Sequence, residues 1–476
     1  MEYTELADYP LPGGTITTWT PVVDETAWID DQRELSYDHE NHLATAHDGA
    51  WIGAVMFVPM PFSAGLVRRT LRAWMSRHEV LRTTVTASSD DRGGWRRRTC
   101  GSDAVDVRAQ ESVVVDRAAA HDTIDAAFRQ VGPRTWPHVV FASLQAAEEE
   151  GAGSEPRPDG FHLAFGADHA VMDAYSQLLW FGEIVDLYRR ALCGDSDREL
   201  GRIDVGSHVD FAAFERRLGQ LVSAQGEAVR TWEAFLGGAG DRARFPTFPD
   251  ADLAQRPPGQ AERFQSSAST VLLGPDRTED VSAWARSAGF GLQSAAFGAV
   301  ARATQRVGEV DVIRLAQPTH TRHEACYAGS VGWYVGIAPL TIDLSGVSTT
   351  ALAVEAADRA LAAVRHLAST PFPRISSLLG VTDGPRFVVS YVDVRHTPGA
   401  PHWQEWSGRT LRAAAPDADE VYLWVVRSSE GMNLSARWPS GQRARRAMDR
   451  FVDALVDELE HMAHLVSAHD TGRIGA

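Results

Sequence analysis

A chain of 476 residues with 44% hydrophobic residues is long enough for two sizeable cores, and its net charge of −17 argues against a general nucleic-acid binder. The three cysteines, Cys100, Cys193 and Cys326, are odd in number and far apart, which implies neither a disulfide framework nor a CxxC metal pair. With no apolar run of ~18 residues and no basic or apolar leader in MEYTELADYPLPGG, no integral membrane segment is expected and a reducing, cytoplasmic setting follows.

In chain order, the first sixty residues read as short strands and loops rich in Trp, Pro and Gly. Within SYDHENHL, His39 and His42 have an i, i+3 spacing that suits a metal, but no third ligand stands in register and polar surface is expected. Residues 61–84 predict a capped amphipathic helix running into a strand, 104–115 a strand, 117–131 a helix and 136–144 a strand. The acidic, small-residue stretch 146–160 predicts a surface loop.

Then comes FHLAFGADHAVMDAYSQLLWFGEIVDLYRRAL, residues 161–192. Phe161, Leu163 and Phe165 alternate as in a half-buried strand, and from Asp173 onward apolar residues recur at helical spacing. Between them lie His169 and Asp173, four residues apart, where a strand ends and a helix begins. An exit loop of this kind brings a side chain to the mouth of a cleft beside the helix's free N–H groups. The spacing alone decides nothing: with seventeen histidines, about one His-x-x-x-Asp arises by chance, and His121–Asp125 repeats it on an alanine-rich helix. On context, catalysis and a satisfied structural histidine both stay open.

Beyond 192, two helices (209–221 and 226–236) precede a Gly-, Pro- and charge-rich linker at about 237–262. This divides the chain into an N-terminal unit, 1–200, and a C-terminal unit, 201–476. The second unit predicts strands at 266–273, 310–315, 386–393, 421–427 and 431–437 and helices at 278–288, 292–305, 349–367 and 443–466. Cys193 and Cys326 lack a base partner by spacing, so packing is expected of them. His461 and His464, beside Asp457 and Glu458, are expected on a solvated face. Arg68, Arg69, Arg72, Arg96–Arg98 and ARWPSGQRARR make basic patches, either solvated surface or a landing site for an acidic carrier protein or a coenzyme A phosphate.

Five blocks in order, RHEVLRTT, GPRTWPHVVFASL, DHAVMDA, QPTHTRHEACYAGSVGWYVGIAPL and VVSYVDVRHTPG, resemble the condensation-domain superfamily. That superfamily holds nonribosomal peptide condensation domains, chloramphenicol-acetyltransferase-like enzymes and polyketide-associated acyltransferases; the late blocks are most similar to the last group, which includes enzymes acylating trehalose glycolipids. The resemblance implies an α/β (α+β) fold of two chloramphenicol-acetyltransferase-like lobes in a V-shaped pseudo-dimer with a central tunnel, where donor thioester and acceptor meet. It implies His169 as the catalytic residue, and Asp173 turned away to pair with an arginine, by block position Arg322 in THTRHE. The usual motif is HHxxxDG; here Asp168 replaces the first histidine and Ala174 the glycine. A buried Asp168 is expected to raise the pKa of His169, and the Cβ of Ala174 to limit backbone approach.

His169 would take the proton of an attacking hydroxyl or amine, or mainly orient it, while N–H groups around Ala174 and Tyr175 favour the developing oxyanion. Trp333 and Tyr334 would line an acyl tunnel or fill the core between lobes. No metal and no tightly bound cofactor is expected. The donor is a phosphopantetheine thioester on an acyl or peptidyl carrier protein supplied in trans, or an acyl-CoA or lipid; the acceptor is a small molecule. A free-standing acyltransferase of natural-product assembly, an acyl-CoA-dependent O-acyltransferase and a non-catalytic docking partner stay open.

Overall fold

The computed structural model describes residues 3–46, 49–88, 94–147, 159–237, 243–246 and 263–471. The strand expected from the alternation of Phe161, Leu163 and Phe165 is Phe161–Ala167, hydrogen-bonded to Ile52–Val58 on one side and Val139–Ala146 on the other. With neighbours on both edges, its alternation sorts side chains between two faces. Phe161, Leu163 and Phe165 join a core under the helices Ala64–Arg77 and Ala174–Leu192, whereas Ala164 joins a smaller core under Arg117–Phe128. The helix Ala174–Leu192 fully buries Leu178, Trp180, Phe181, Ile184 and Tyr188, each contributing about 1.5–3 kcal/mol. That burial fixes the helix start, and with it the loop carrying His169.

The sheet has seven strands, in the spatial order Tyr3–Glu5, Arg409–Arg412, Ile52–Val58, Phe161–Ala167, Val139–Ala146, Gly14–Val22, Asp106–Val114. Its second strand comes from the far end of the chain, parallel to Tyr3–Glu5 and antiparallel to Ile52–Val58. A division at residue 200 therefore fails for Arg409–Arg412, which completes a sheet of the first half. Four residues, RTLR, carry too little alternation to announce a strand.

The six-stranded sheet, in the order Ser266–Leu273, Gly431–Trp438, Val421–Ser428, Phe387–Asp393, Val312–His320, Val335–Asp343, belongs to the second half. The helices Pro275–Ser287, Leu292–Gly308, Thr350–Val364 and Gln442–Thr471 pack on it around one large core. A third sheet, Ile29–Asp31, Trp95–Thr99 and Thr83–Ala87, lies beside the first. The fold is thus mixed α/β, with two large helix-covered sheets. Of the expected linker, only its first residue and residues 243–246 are among those described.

Three sequence expectations are corrected. Residues 36–43 are not polar surface: Ser36 caps the helix Tyr37–Thr45, His39 is buried, and Leu43 is fully buried. Five polar side chains, Asp38 to His42, masked the helix, whose signals were the Ser36 cap and that single leucine. Cys193 and Cys326 are exposed rather than packed. His461 and His464 face solvent as expected, yet Glu458 beside them is buried and accepts from Thr350. Among the described residues no helix is long and apolar enough to cross a membrane.

Candidate active site

The strand Phe161–Ala167 ends one residue before Asp168, whose main-chain N–H donates to the His138 carbonyl at 2.8 Å. A single 3-10 turn, His169–Val171, follows, and the helix begins at Ala174. Asp168 caps that turn by accepting from the Ala170 N–H at 2.8 Å, and Asp173 caps the helix by accepting from the Ser176 N–H at 2.7 Å. Asp168 and Asp173 thus set both ends of the loop presenting His169.

Asp173 turns away from His169. It receives two hydrogen bonds from the Arg322 guanidinium, at 2.8 and 3.0 Å, and one from the Tyr334 N–H at 2.9 Å. Arg322 also reaches Ser176 Oγ at 2.8 Å and the Ser330 carbonyl at 3.1 Å, and lies over the rings of Tyr175 and Tyr334. Both partners are buried, so the ion pair is dry and fully bonded. Burial pushes the Asp173 carboxyl up, but Arg322 and Ser176 outweigh it and hold it below the usual carboxylate range.

Those same atoms dock the second half of the chain. Ser176 Oγ receives the Gly332 N–H at 3.1 Å, and His78 Nδ1 receives that of Val331 at 3.4 Å. His78, in turn, is fixed by Glu183 at 2.9 Å. Trp333 is delivered to the active loop as a result, its ring centroid 4.1 Å from that of His169. Of the two roles open to Tyr334, tunnel lining or core filling, its burial fits the second. It is fully buried, donates to Ser330 Oγ at 2.8 Å, and packs on His208 and Arg322, because its main-chain N–H is committed to Asp173.

His169 keeps part of its surface accessible, while its Nδ1 is sealed from solvent without a partner side chain. Burial, then the positive charge of His42, lowers its pKa; its own carbonyl and the two aspartates only partly offset this. The expected upward pull of Asp168 does not win, because that carboxylate faces another group, His42 Nε2, at 2.9 Å. Burial raises the Asp168 carboxyl, yet the His42 hydrogen bond and charge bring it below its ordinary value. Ala174 sits in regular helix with no positive φ, so the backbone here places no demand for glycine.

A condensation-domain family model matches residues 41–389. The chain belongs to the condensation-domain family. This condensation domain is 22% identical to the acyltransferase PapA3 of Mycobacterium tuberculosis over 311 residues, 64% of each chain. It is 24% identical to a component of the linear gramicidin synthase of Brevibacillus parabrevis over 323 residues, 64% of this chain and 4% of that one. The chain thus covers less than two thirds of either relative. Among solved structures, the PapA2 acyl transferase has a TM-score of 0.81 at 18% identity, covering 97% of this chain and 100% of the other. The epimerization domain of the third module of tyrocidine synthetase B gives 0.67 at 14% identity, covering 94% and 100%. Both likenesses concern the fold.

His42, expected on polar surface, is the residue of this site that the sequence did not place here. It pairs with Asp168 and stands 5.5 Å, ring to ring, from Trp333. Its signal was the substitution in the motif: a buried carboxylate where the family carries an imidazole needs hydrogen-bond partners, and beyond the Ala170 N–H of its own loop it finds His42. Among the described residues no group of His, Cys, Asp or Glu side chains is arranged to hold a metal. Clefts of about 230 and 260 Å³ lie in the second half, lined by residues such as Arg244 and Phe387, or Thr270 and Met448, away from His169.

Proposed function

We propose that this condensation domain is an acyltransferase that moves an acyl or aminoacyl group from a thioester to a hydroxyl or amine, forming an ester or amide. One observation carries the reading: a part-exposed imidazole kept neutral at a strand exit, with one nitrogen turned inward and a tryptophan across its face. With Nδ1 held inside, Nε2 accepts the proton as the acceptor's oxygen or nitrogen attacks the thioester carbonyl. The carbonyl oxygen becomes an oxyanion, favoured by the free N–H groups of the first helical turn at Ala174 and Tyr175. Collapse breaks the C–S bond, and the departing thiolate takes back the proton from Nε2. Asp173 and Arg322 hold the loop and touch no reacting atom.

The donor reading is a phosphopantetheine thioester on an acyl or peptidyl carrier protein acting in trans, with a small-molecule acceptor and no tightly bound cofactor. The alternative is an acyl-CoA or lipid donor. Asp168 bears on the docking-partner reading: its pairing with His42 leaves His169 unblocked, which favours catalysis. Intact-mass analysis of products from matched panels of loaded carriers and acyl-CoAs tests the proposal. Product that disappears in His169→Ala supports it. Equal turnover by His169→Ala overturns it, and efficient turnover of acyl-CoA moves the donor to the alternative.

A further inference from the structure

The buried arginines of this molecule are mostly satisfied. Arg82 donates to the carbonyls of Met75 and Cys100, Arg322 to Asp173, and Arg427 to Glu279. Arg412, whose Nε and Nη1 are free, lies over the ring of Trp424. Arg97 has neither kind of partner. It is 4% exposed, its Nη1 is sealed from solvent, and it makes no hydrogen bond among the described residues. The acids around it are already taken. Asp31, its cross-strand neighbour, holds Arg33 at 2.6 Å and Thr99 at 2.8 Å; Glu79 holds Arg33 at 2.8 Å. An unpaired buried charge of this kind is costly and persists where something outside the fold completes it.

Its position is defined by register. Arg97 stands directly opposite Val85, on the face of its strand that also carries Trp95. Val85 and Trp95 pack against Leu35 and Leu43, placing the helix Tyr37–Thr45 over this face. On that helix His39 lies one turn before Leu43, and its ring makes no hydrogen bond among the described residues. His42, on the next turn, meets Asp168 and the ring of Trp333, with the ring of His169 6.3 Å away. His208 Nε2 adjoins the Trp333 main chain, 2.9 Å from its carbonyl and 3.1 Å from its nitrogen. Burial, and after it the Arg97 charge, lowers the pKa of both His39 and His208.

We infer that Arg97, with His39, forms an anion-binding subsite under the helix Tyr37–Thr45 that seats a carboxylate or phosphate of a substrate. The inference rests on the acyltransferase reading for the word substrate, and on the geometry alone for the anion. An anionic group there would meet the open N–H groups of a fixed guanidinium in a dry setting, where a charge-assisted pair is strongest. It would also hold that molecule within a helical turn or two of His169.

Thermal melting of the whole protein at constant ionic strength, with inorganic phosphate or acetate against chloride, tests the subsite. The wild type should melt higher with phosphate or acetate. Arg97→Gln should melt above the wild type in chloride, because an unpaired charge is gone, and should lose the anion response; His169→Ala should keep it. An Arg97→Gln protein that melts lower in chloride, an unchanged anion response, or no response in the wild type overturns the subsite. Transfer assays then identify the source. A rise in KM of about 10- to 100-fold in Arg97→Gln for acyl-phosphopantetheine but not acyl-pantetheine assigns the donor phosphate. The same rise for free-acid acceptors but not their methyl esters assigns an acceptor carboxylate, and no rise with either overturns the substrate role. Should no donor be turned over by the wild type, the acyltransferase reading fails while the melting result stands.

Discussion

At the scale of single residues, the proposed chemistry depends on an imidazole that is neutral when needed. His169→Ala should lower kcat/KM by about 10²- to 10⁴-fold, the usual contribution of a general base, with melting temperature nearly unchanged. Since its pKa is lowered, activity should be flat through neutral pH and fall only as the pH drops below the ordinary histidine value. His42→Gln keeps a donor for Asp168 but removes the repelling charge, so the acid limb of the pH–rate profile should move to higher pH. An unmoved limb would mean that His42 does not tune His169. Asp173→Ala leaves Arg322 buried without its counter-charge and should cost about 3–5 kcal/mol in urea unfolding. Arg322→Ala should cost a similar amount, with the double variant far from additive. Both Asp168 and Asp173 lie below their ordinary pKa, so the stability they contribute is complete above about pH 4 and is lost as acid takes the pH through the folded values.

Among elements, the segment Ser330–Tyr334 and the helix Tyr37–Thr45 bracket the imidazole from two sides. Gly332 has φ of +156°, and a Cβ there would lie 2.3 Å from His208 Cγ. Gly332→Ala should therefore destabilise the protein and displace Trp333, lowering activity more than a surface alanine would; equal activity and stability would separate Trp333 from the chemistry. These elements also show where sequence reasoning reached and where it stopped. The strand–turn–helix around His169 was legible because period-two and helical spacing abut within one short block. The partner of Asp173 lies 149 residues away and came only through the family blocks, since no local pattern encodes a long-range ion pair. Helix Tyr37–Thr45 was lost because a helix that turns histidines inward looks like surface when read as polarity. Arg97 was counted among surface charges for the same reason.

On the scale of the whole molecule, two helix-covered sheets were legible in the alternation of strands and helices in each half. The exchange of Arg409–Arg412 into the first sheet was not, because strand pairing across hundreds of residues leaves no trace in a four-residue segment. Gln177, on the active-site helix, donates to the Leu411 carbonyl at 3.0 Å across 234 residues. Thr410→Pro removes a ladder donor between two strands and should cost about 3 kcal/mol or more, read as a lower urea midpoint. During synthesis at ~5–20 residues per second, the helix that starts at Ala174 waits roughly 10–50 s for the carbonyl that anchors Gln177. Throughout that interval IGAVMFV, the strand destined to meet Arg409–Arg412, presents a bare apolar margin to every other nascent chain. Yield in a cell should then follow the supply of holdase chaperones more closely than it follows the equilibrium stability of the finished protein.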